Sequence, residues 1–203
     1  MKKYCIFFAV CFFLFATVNA QVSFGAKAGG AITSLPGDDD NNSKAGFYGG
    51  VTAELPVGKK FRIAAELVYA LQGNKKRIRF SDWAPNDGYR ETGKKENMNL
   101  SYINLPVLLK YEVVKKLYLE TGLQAGLLIS AKVKTSQGTG NIKDHYESFD
   151  LSWPIGIGYQ LKNGLGANFR YNLGLTNVYK EAFYKAHNSV VQLGVFYCLK
   201  PVK

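Results

Sequence analysis

Cysteine is scarce in this chain of 203 residues, and two of its three thiols, Cys5 and Cys11, fall within the first twenty. Without that segment Cys198 alone remains, so no intrachain disulfide can form; it is expected as a buried or inward-facing small residue. The chain has six prolines, and its 21 glycines follow no triplet period, which excludes a collagen-like rod. There are two histidines. No Cys/His spacing of the metal-binding kind and no phosphate-cradling loop occurs, and Gly58-Lys59-Lys60 lacks the Walker context. No cofactor is expected. Past residue 20 no apolar run approaches the ~20 residues that a membrane-spanning helix needs. Acidic residues are also in deficit, 15 against 26 basic ones, for a formal charge of +11. With 20% charged and 14% aromatic residues, the composition excludes disorder. What is present is a glycine- and aromatic-rich chain of strand character.

The chain opens Met1-Lys2-Lys3, runs apolar from Tyr4 to Val18 and closes Val18-Asn19-Ala20. A charged start, a short apolar stretch and a small-residue end are the plan of a secretory signal peptide over residues 1–20. The next residue is Gln21 and not Cys, which argues against a lipid anchor. Lys2 and Lys3 leave with the segment and no acid does, so the charge falls to +9.

Residues 21–203 alternate apolar and polar positions in segment after segment, the period-2 signal of strands. Eight such segments stand out, at 22–30, 47–55, 61–72, 100–112, 117–132, 149–161, 165–175 and 191–199. The connections alternate long (31–46, 73–99, 133–148, 176–189) and short (56–60, 113–116, 162–164). Short turns at one end and long loops at the other predict an all-β, 8-stranded antiparallel up-and-down transmembrane β-barrel, with both termini on the short-turn, periplasmic side. Residues 75–80 are a candidate extension of the third strand above the membrane.

A soluble barrel turns its apolar face inward and a membrane barrel turns it to lipid. The polar face here is rich in glycine (Gly25, Gly29, Gly122, Gly156, Gly158 and Gly194 among others), which suits a crowded lumen better than a solvated exterior. It also carries Lys27, Arg62, Lys110, Lys132 and Arg170 against Glu54, Glu66, Glu112, Glu120 and Asp150. Five charges of each sign fit a lumen filled by pairs, and eight strands leave room for little but side chains. A plugged interior is therefore expected. Aromatics on the apolar face cluster near the short turns (Phe61, Tyr111, Tyr159, Tyr197) and near the loops (Tyr69, Phe149, Trp153), as interfacial girdles do. Lys59, Lys60, Lys115, Lys116, Lys162, Lys200 and Lys203 lie at the short-turn side with no acid among them, either simply solvated or set against anionic head groups.

With the strands laid out, the chain resembles the small outer-membrane β-barrels of Bacteroidota, the PorT-like or "porin family protein" group with an outer membrane protein beta-barrel domain. The carrying stretches are 21–29, 102–111 (Tyr-Ile-Asn-Leu-Pro-Val-Leu-Leu-Lys-Tyr) and 122–126. The second is the most specific, because Pro106 removes a ladder donor that a generic strand keeps. The resemblance implies an 8-stranded barrel in the outer membrane and says little of activity; its namesake is tied to protein export. Barrels of this kind commonly end in an aromatic residue, whereas this chain ends Leu199-Lys200-Pro201-Val202-Lys203, leaving Phe196 or Tyr197 to serve.

Three further features bear on chemistry. His187 and Ser189 resemble the His-x-Ser pair of outer-membrane lipid A deacylases, with His187 as base and Ser189 as nucleophile. No acid follows Glu181, so Glu181 or Asp150 would have to orient the imidazole, and an exposed loop histidine is the simpler reading. Asp38, Asp40 and Asn42 begin like a calcium loop, but Ser43 stands where glycine is required and Gly49 where a bidentate glutamate is; a solvated tip is favoured. The second long loop mixes Lys75, Lys76, Arg77, Arg79, Arg90, Lys94 and Lys95 with Trp83 and Tyr89. Nucleic acid is not expected as a partner of an exported barrel. Lipopolysaccharide phosphates, outer-membrane lipid, or an extracellular or periplasmic protein are. The leading expectation is a non-enzymatic outer-membrane barrel acting in membrane structure or surface interaction. The alternatives are a lipid-modifying hydrolase and an accessory of protein export.

Overall fold

Period-2 alternation is realised as one closed sheet. The computed structural model describes residues 22–34, 41–84, 88–135, 138–178 and 187–199; the expected signal segment, residues 1–20, and residues 35–40 lie outside them. Ten strands follow in chain order: β1 (Ser23–Ser34), β2 (Asn41–Pro56), β3 (Phe61–Gln72), β4 (Asn74–Ala84), β5 (Gly88–Val114), β6 (Leu117–Thr135), β7 (Gly138–Asn141), β8 (Phe149–Gln160), β9 (Leu165–Asn177) and β10 (His187–Cys198). Eight are barrel staves. Antiparallel pairing runs β1–β2, β2–β3, β3–β5, β5–β6, β6–β8, β8–β9 and β9–β10, and β10 returns to β1 with Gly25 opposite Cys198 and Ser34 opposite Ser189. Closure removes the free edges that an open sheet exposes. The fold is an 8-stranded antiparallel β-barrel.

The short connections are true turns. Lys115 and Lys116 alone join β5 to β6, with Lys116 at φ +77°. Gly164 takes φ +91° in the β8–β9 turn, where a Cβ would meet the Cys198 carbonyl oxygen at 2.2 Å. Two prolines leave their mark on the ladders. The β3–β5 register skips from Ala65 opposite Val107 to Val68 opposite Asn104 around Pro106. The β6–β8 register skips from Thr121 opposite Ile155 to Gln124 opposite Ser152 near Pro154. A residue without an N–H cannot close a ladder bond.

The second long connection is not a loop. β4 and the first part of β5 form a hairpin from Lys75 opposite Asn97 to Ala84 opposite Gly88, and the base of β4 pairs with residues 41–43 of β2. Gly73, at φ +143°, separates β3 from β4; a Cβ there would strike the Met98 carbonyl at 2.0 Å. Its freedom lets the chain kink between the stave and the hairpin.

Burial alternates with the strand period and with the sign of a membrane barrel. Phe24, Val51, Leu105, Leu123, Leu127, Leu193 and Val195 are each more than half exposed on the outside. Buried apolar side chains instead line the ends of the lumen. Leu100, Tyr102, Leu128, Ala131, Tyr146 and Val178 cluster at the long-connection end, and Tyr118, Phe196 and Cys198 at the short-turn end. Polar groups on the outer face find partners: Trp153 Nε1 donates to Thr121 Oγ1 at 2.8 Å, and Tyr69 Oη to Ser101 Oγ at 3.2 Å. No described helix is long and apolar enough to cross a membrane; strands carry the apolar belt.

If lipid solvates that belt, Leu123→Arg, halfway along the outward face of β6, is expected to destabilise the barrel by roughly 2–4 kcal/mol. The same change at exposed Val57 in the β2–β3 turn is expected to be near neutral. Urea titration of the folded, fast-migrating band on unheated gels measures both.

Candidate functional site: a buried chain of ion pairs

Alternate residues of a stave face inward, and an 8-stranded lumen holds side chains and little else. Inward charges must therefore find partners among themselves, since a lone buried charge is costly. Eight do so in one unbroken sequence. Lys27 of β1 donates to Glu66 Oε2 of β3 at 2.9 Å. Arg170 of β9 grips Glu66 with Nη1 at 2.9 Å and Nη2 at 3.1 Å, and Glu120 Oε1 of β6 with Nε at 2.7 Å. Lys110 of β5 lies 3.9 Å from Glu120 Oε2 and donates to Glu54 Oε1 of β2 at 2.5 Å. Arg62 of β3 continues to Glu54 at 3.6 Å and Glu112 at 3.3 Å, and its Nη1 donates to Gln160 Oε1 at 2.8 Å. Four cations and four anions alternate, so the chain is neutral.

Burial ranks the members. Arg170 is 1% exposed and engages two carboxylates at once, using the planar fork that suits a guanidinium to this position. At the other end the Glu112 side chain is 28% exposed and marks the short-turn mouth.

Aromatic rings complete the packing. Lys110 Nζ lies 4.8 Å from the Tyr118 ring and 5.5 Å from the Phe196 ring; Lys27 Nζ lies 5.5 Å from that of Tyr48. These rings occupy space that glycines vacate. A Cβ on Gly158 would come within 2.2 Å of Tyr118, one on Gly166 within 2.2 Å of Phe196, and one on Gly194 within 2.1 Å of the Tyr48 hydroxyl.

Two sequence-predicted lumen residues stand elsewhere. Lys132 is exposed. Ser101 pairs with Ser130 while Tyr102 pairs with Leu128, so β6 carries one extra residue. That bulge reverses the facing of all that follows: Ala131 is buried and Lys132 points away. Asp150 faces inward but stands apart from the chain; Thr176 Oγ1 donates to its Oδ1 at 3.3 Å. The inward tyrosines were not singled out by the sequence. For two of them the signal is a glycine opposite on a neighbouring strand, Gly158 for Tyr118 and Gly29 for Tyr48.

His187 and Ser189 are not joined by a hydrogen bond. His187 is exposed, with Nδ1 3.2 Å from the Thr176 carbonyl oxygen, and Ser189 is buried between β1 and β9. Thr176 thus stands between His187 and Asp150. Asp38 and Asp40 lie outside the described residues. Asn42 is opposite Lys75 in the β2–β4 ladder. No metal-holding group of His, Cys, Asp or Glu occurs among the described residues.

Removing one member of the ion chain strands its neighbours. Arg170→Leu leaves Glu66 and Glu120 facing each other in the lumen, and a loss of roughly 3–5 kcal/mol is expected. Lys132→Ala, outside the chain, is expected to change stability by less than about 0.5 kcal/mol. Urea titration of the folded band measures the contrast.

Residues 16–180 match the family described as "Outer membrane protein beta-barrel domain". No curated protein matches. Among solved structures the chain is similar to Neisserial surface protein A (NspA), at 16% identity over 89% of this chain and 99% of that one, with a TM-score of 0.54. It is also similar to Ail, the attachment invasion locus protein of Yersinia pestis, at 10% identity over 90% of this chain and 100% of that one, with a TM-score of 0.48. At such identities the likeness to NspA is one of fold. With the family match spanning most of its length, the chain belongs to the outer membrane protein beta-barrel domain family, and the outer membrane is its location.

Proposed function

We propose that this chain is a non-enzymatic outer-membrane barrel with a plugged lumen, exported by a cleaved leader ending at Ala20, which acts in membrane structure or surface interaction. The observation that carries the reading is the ion chain itself. The void left among Lys27, Glu54, Glu66, Lys110, Glu120 and Arg170 is about 10 Å³, the scale of one water molecule at most. Ions and solutes of porin size have no path there. Above it, the apolar cluster around Tyr102, Leu128 and Tyr146 narrows the other end. A barrel without a conduit acts through its ends. The motif at 102–111, with Pro106 in its ladder gap, supports kinship with the PorT-like barrels of Bacteroidota.

The outward end carries the β4–β5 hairpin. Lys75, Arg77 and Arg79 occupy alternate positions of β4, and Arg77 stands opposite Lys95 in the register. Like charges at opposed positions destabilise a hairpin, and a bound anion offsets that cost. Lipopolysaccharide phosphates are the nearest abundant anions at an outer-membrane surface, and we take them as the partner of this hairpin. The His187–Ser189 pair carries no comparable support, since its imidazole faces a main-chain carbonyl.

Planar-bilayer recording tests the plug: no steady conductance of porin size is expected, and a stable open level of that size overturns it. Intact-mass measurement of the purified protein is expected to place its first residue at Gln21. A serine-directed phosphonate is expected to leave Ser189 unlabelled.

A further inference from the structure

The outer face of the barrel is not uniform. Where β1, β2 and β3 adjoin, the apolar belt dips into a concavity of about 610 Å³ floored by Ala26, Ala53 and Ala65 and walled by Phe24, Leu67 and Leu199. Ala53 stands opposite both Phe24 and Ala65 in the ladders, so the small residues lie side by side on neighbouring staves. Large side chains cover most of the belt elsewhere, among them Leu123, Phe149, Trp153, Phe169 and Leu193.

Two of the three strands that form the floor, β2 and β3, meet in the β2–β3 turn, which bears Lys59 and Lys60, both exposed. Ala65 follows Lys60 by five residues, about 17 Å of strand. Half the hydrocarbon thickness of a bilayer is about 15 Å. The concavity therefore lies at the depth reached by an acyl chain whose head group sits at the turn. Lys60 Nζ stands 6.0 Å from the Tyr111 ring, which packs at 5.0 Å against Phe61. That places its amine at the level of the aromatic girdle, beside the head groups. No acidic residue lies in this turn.

We infer that β1–β3 and the Lys59–Lys60 turn together form a binding site for one anionic phospholipid of the periplasmic leaflet. One acyl chain fills the concavity and the phosphate lies against the two lysines. Charge complementarity chooses this occupant. A zwitterionic lipid offers the turn no net charge, and a second copy of the barrel would bring an equal set of lysines against these. Lipopolysaccharide occupies the other leaflet. The site rests on the membrane placement of the barrel and on the short turns facing the periplasm.

Native mass spectrometry of the detergent-purified protein, given phosphatidylglycerol or phosphatidylethanolamine of identical acyl chains, tests it. One retained phosphatidylglycerol is expected, and no retained phosphatidylethanolamine. The double variant Lys59→Ser/Lys60→Ser should bind about 30-fold more weakly, the effect of two interfacial lysines. Ala53→Leu/Ala65→Leu, which fills the concavity, should also lose the lipid. Lys115→Ser/Lys162→Ser removes as much charge from other turns and should retain it. Equal retention of both lipids, or equal loss in the Lys115/Lys162 variant, overturns the site in favour of diffuse attraction. A dimer that Ala53→Leu/Ala65→Leu abolishes overturns it in favour of self-association. Heat-modifiable migration reports folding of each variant, so lipid lost from the lysine-pair or filled variant with that migration intact supports the site, whereas an unaltered, heat-modifiable protein that retains no phosphatidylglycerol overturns the site and not the barrel. Were the filled variant to misfold, the lysine pair at its exposed turn would still decide.

Discussion

A narrow lumen makes an unpaired inward charge costly, and much of this barrel follows from that cost. Paired charges inside hydrocarbon-clad walls persist because each carboxylate is held by at least one cation and the pivotal guanidinium of Arg170 serves two. Buried ion pairs are weak sources of stability, because desolvation cancels most of the attraction. Their force lies in the asymmetry of loss. An incomplete chain is far worse than none, which penalises any register in which one member is missing. The members come from β1, β2, β3, β5, β6 and β9, so a slipped strand would strand a charge and turn its apolar face inward at once. The network specifies closure more than it supplies energy.

Space is managed by the same opposition. Tyr48, Tyr118 and Phe196 enter a lumen already holding four long cations, and they fit because glycines on facing strands leave their places empty. The rings in turn lie over the cations they crowd, at distances of cation–π contact. Glycine is costly in a strand for its entropy. Here that cost sits where a side chain would collide, and the return is a filled interior with aromatic faces toward otherwise dehydrated ammonium groups.

Much of this was legible in the alternation. The eight apolar faces, the short turns, the glycine-rich inner face and the inward placement of the eight charges of the ion chain all follow from a period of two, which is local. What the period lacks is memory of a bulge. One extra residue between Leu128 and Ala131 inverts the facing, so Lys132, inward by extrapolation, is outward in the fold. Partners were equally out of reach. The sequence offers the acids and bases, but that Arg170 joins Glu66 to Glu120 depends on the curvature bringing β9, β3 and β6 together across the lumen. The β4–β5 hairpin was legible only in part. Alternation over residues 75–80 marks a strand beyond β3, but residues 88–99 carry few apolar positions, so the returning arm has no such mark, and a kink at Gly73 separates the hairpin from the stave below. The inward aromatics were obscured by the outward ones, because a tyrosine reports its facing only through its neighbours.

With so many inward side chains engaged in holding the interior together, the two rims are where the barrel differs most from one end to the other. These rims differ in kind. The short-turn rim presents Lys59, Lys60, Lys115, Lys116 and Lys162, with Lys60 and Lys116 lying over girdle tyrosines, on loops too short to reach far from the bilayer. Such a rim can address only what lies in the interface plane. The opposite rim carries a hairpin ten register pairs long. A barrel with one short-turned basic rim and one rim bearing a hairpin is asymmetric from end to end in both charge and reach. That asymmetry, and not the barrel wall shared with so many other proteins, is where this chain's particular role is written.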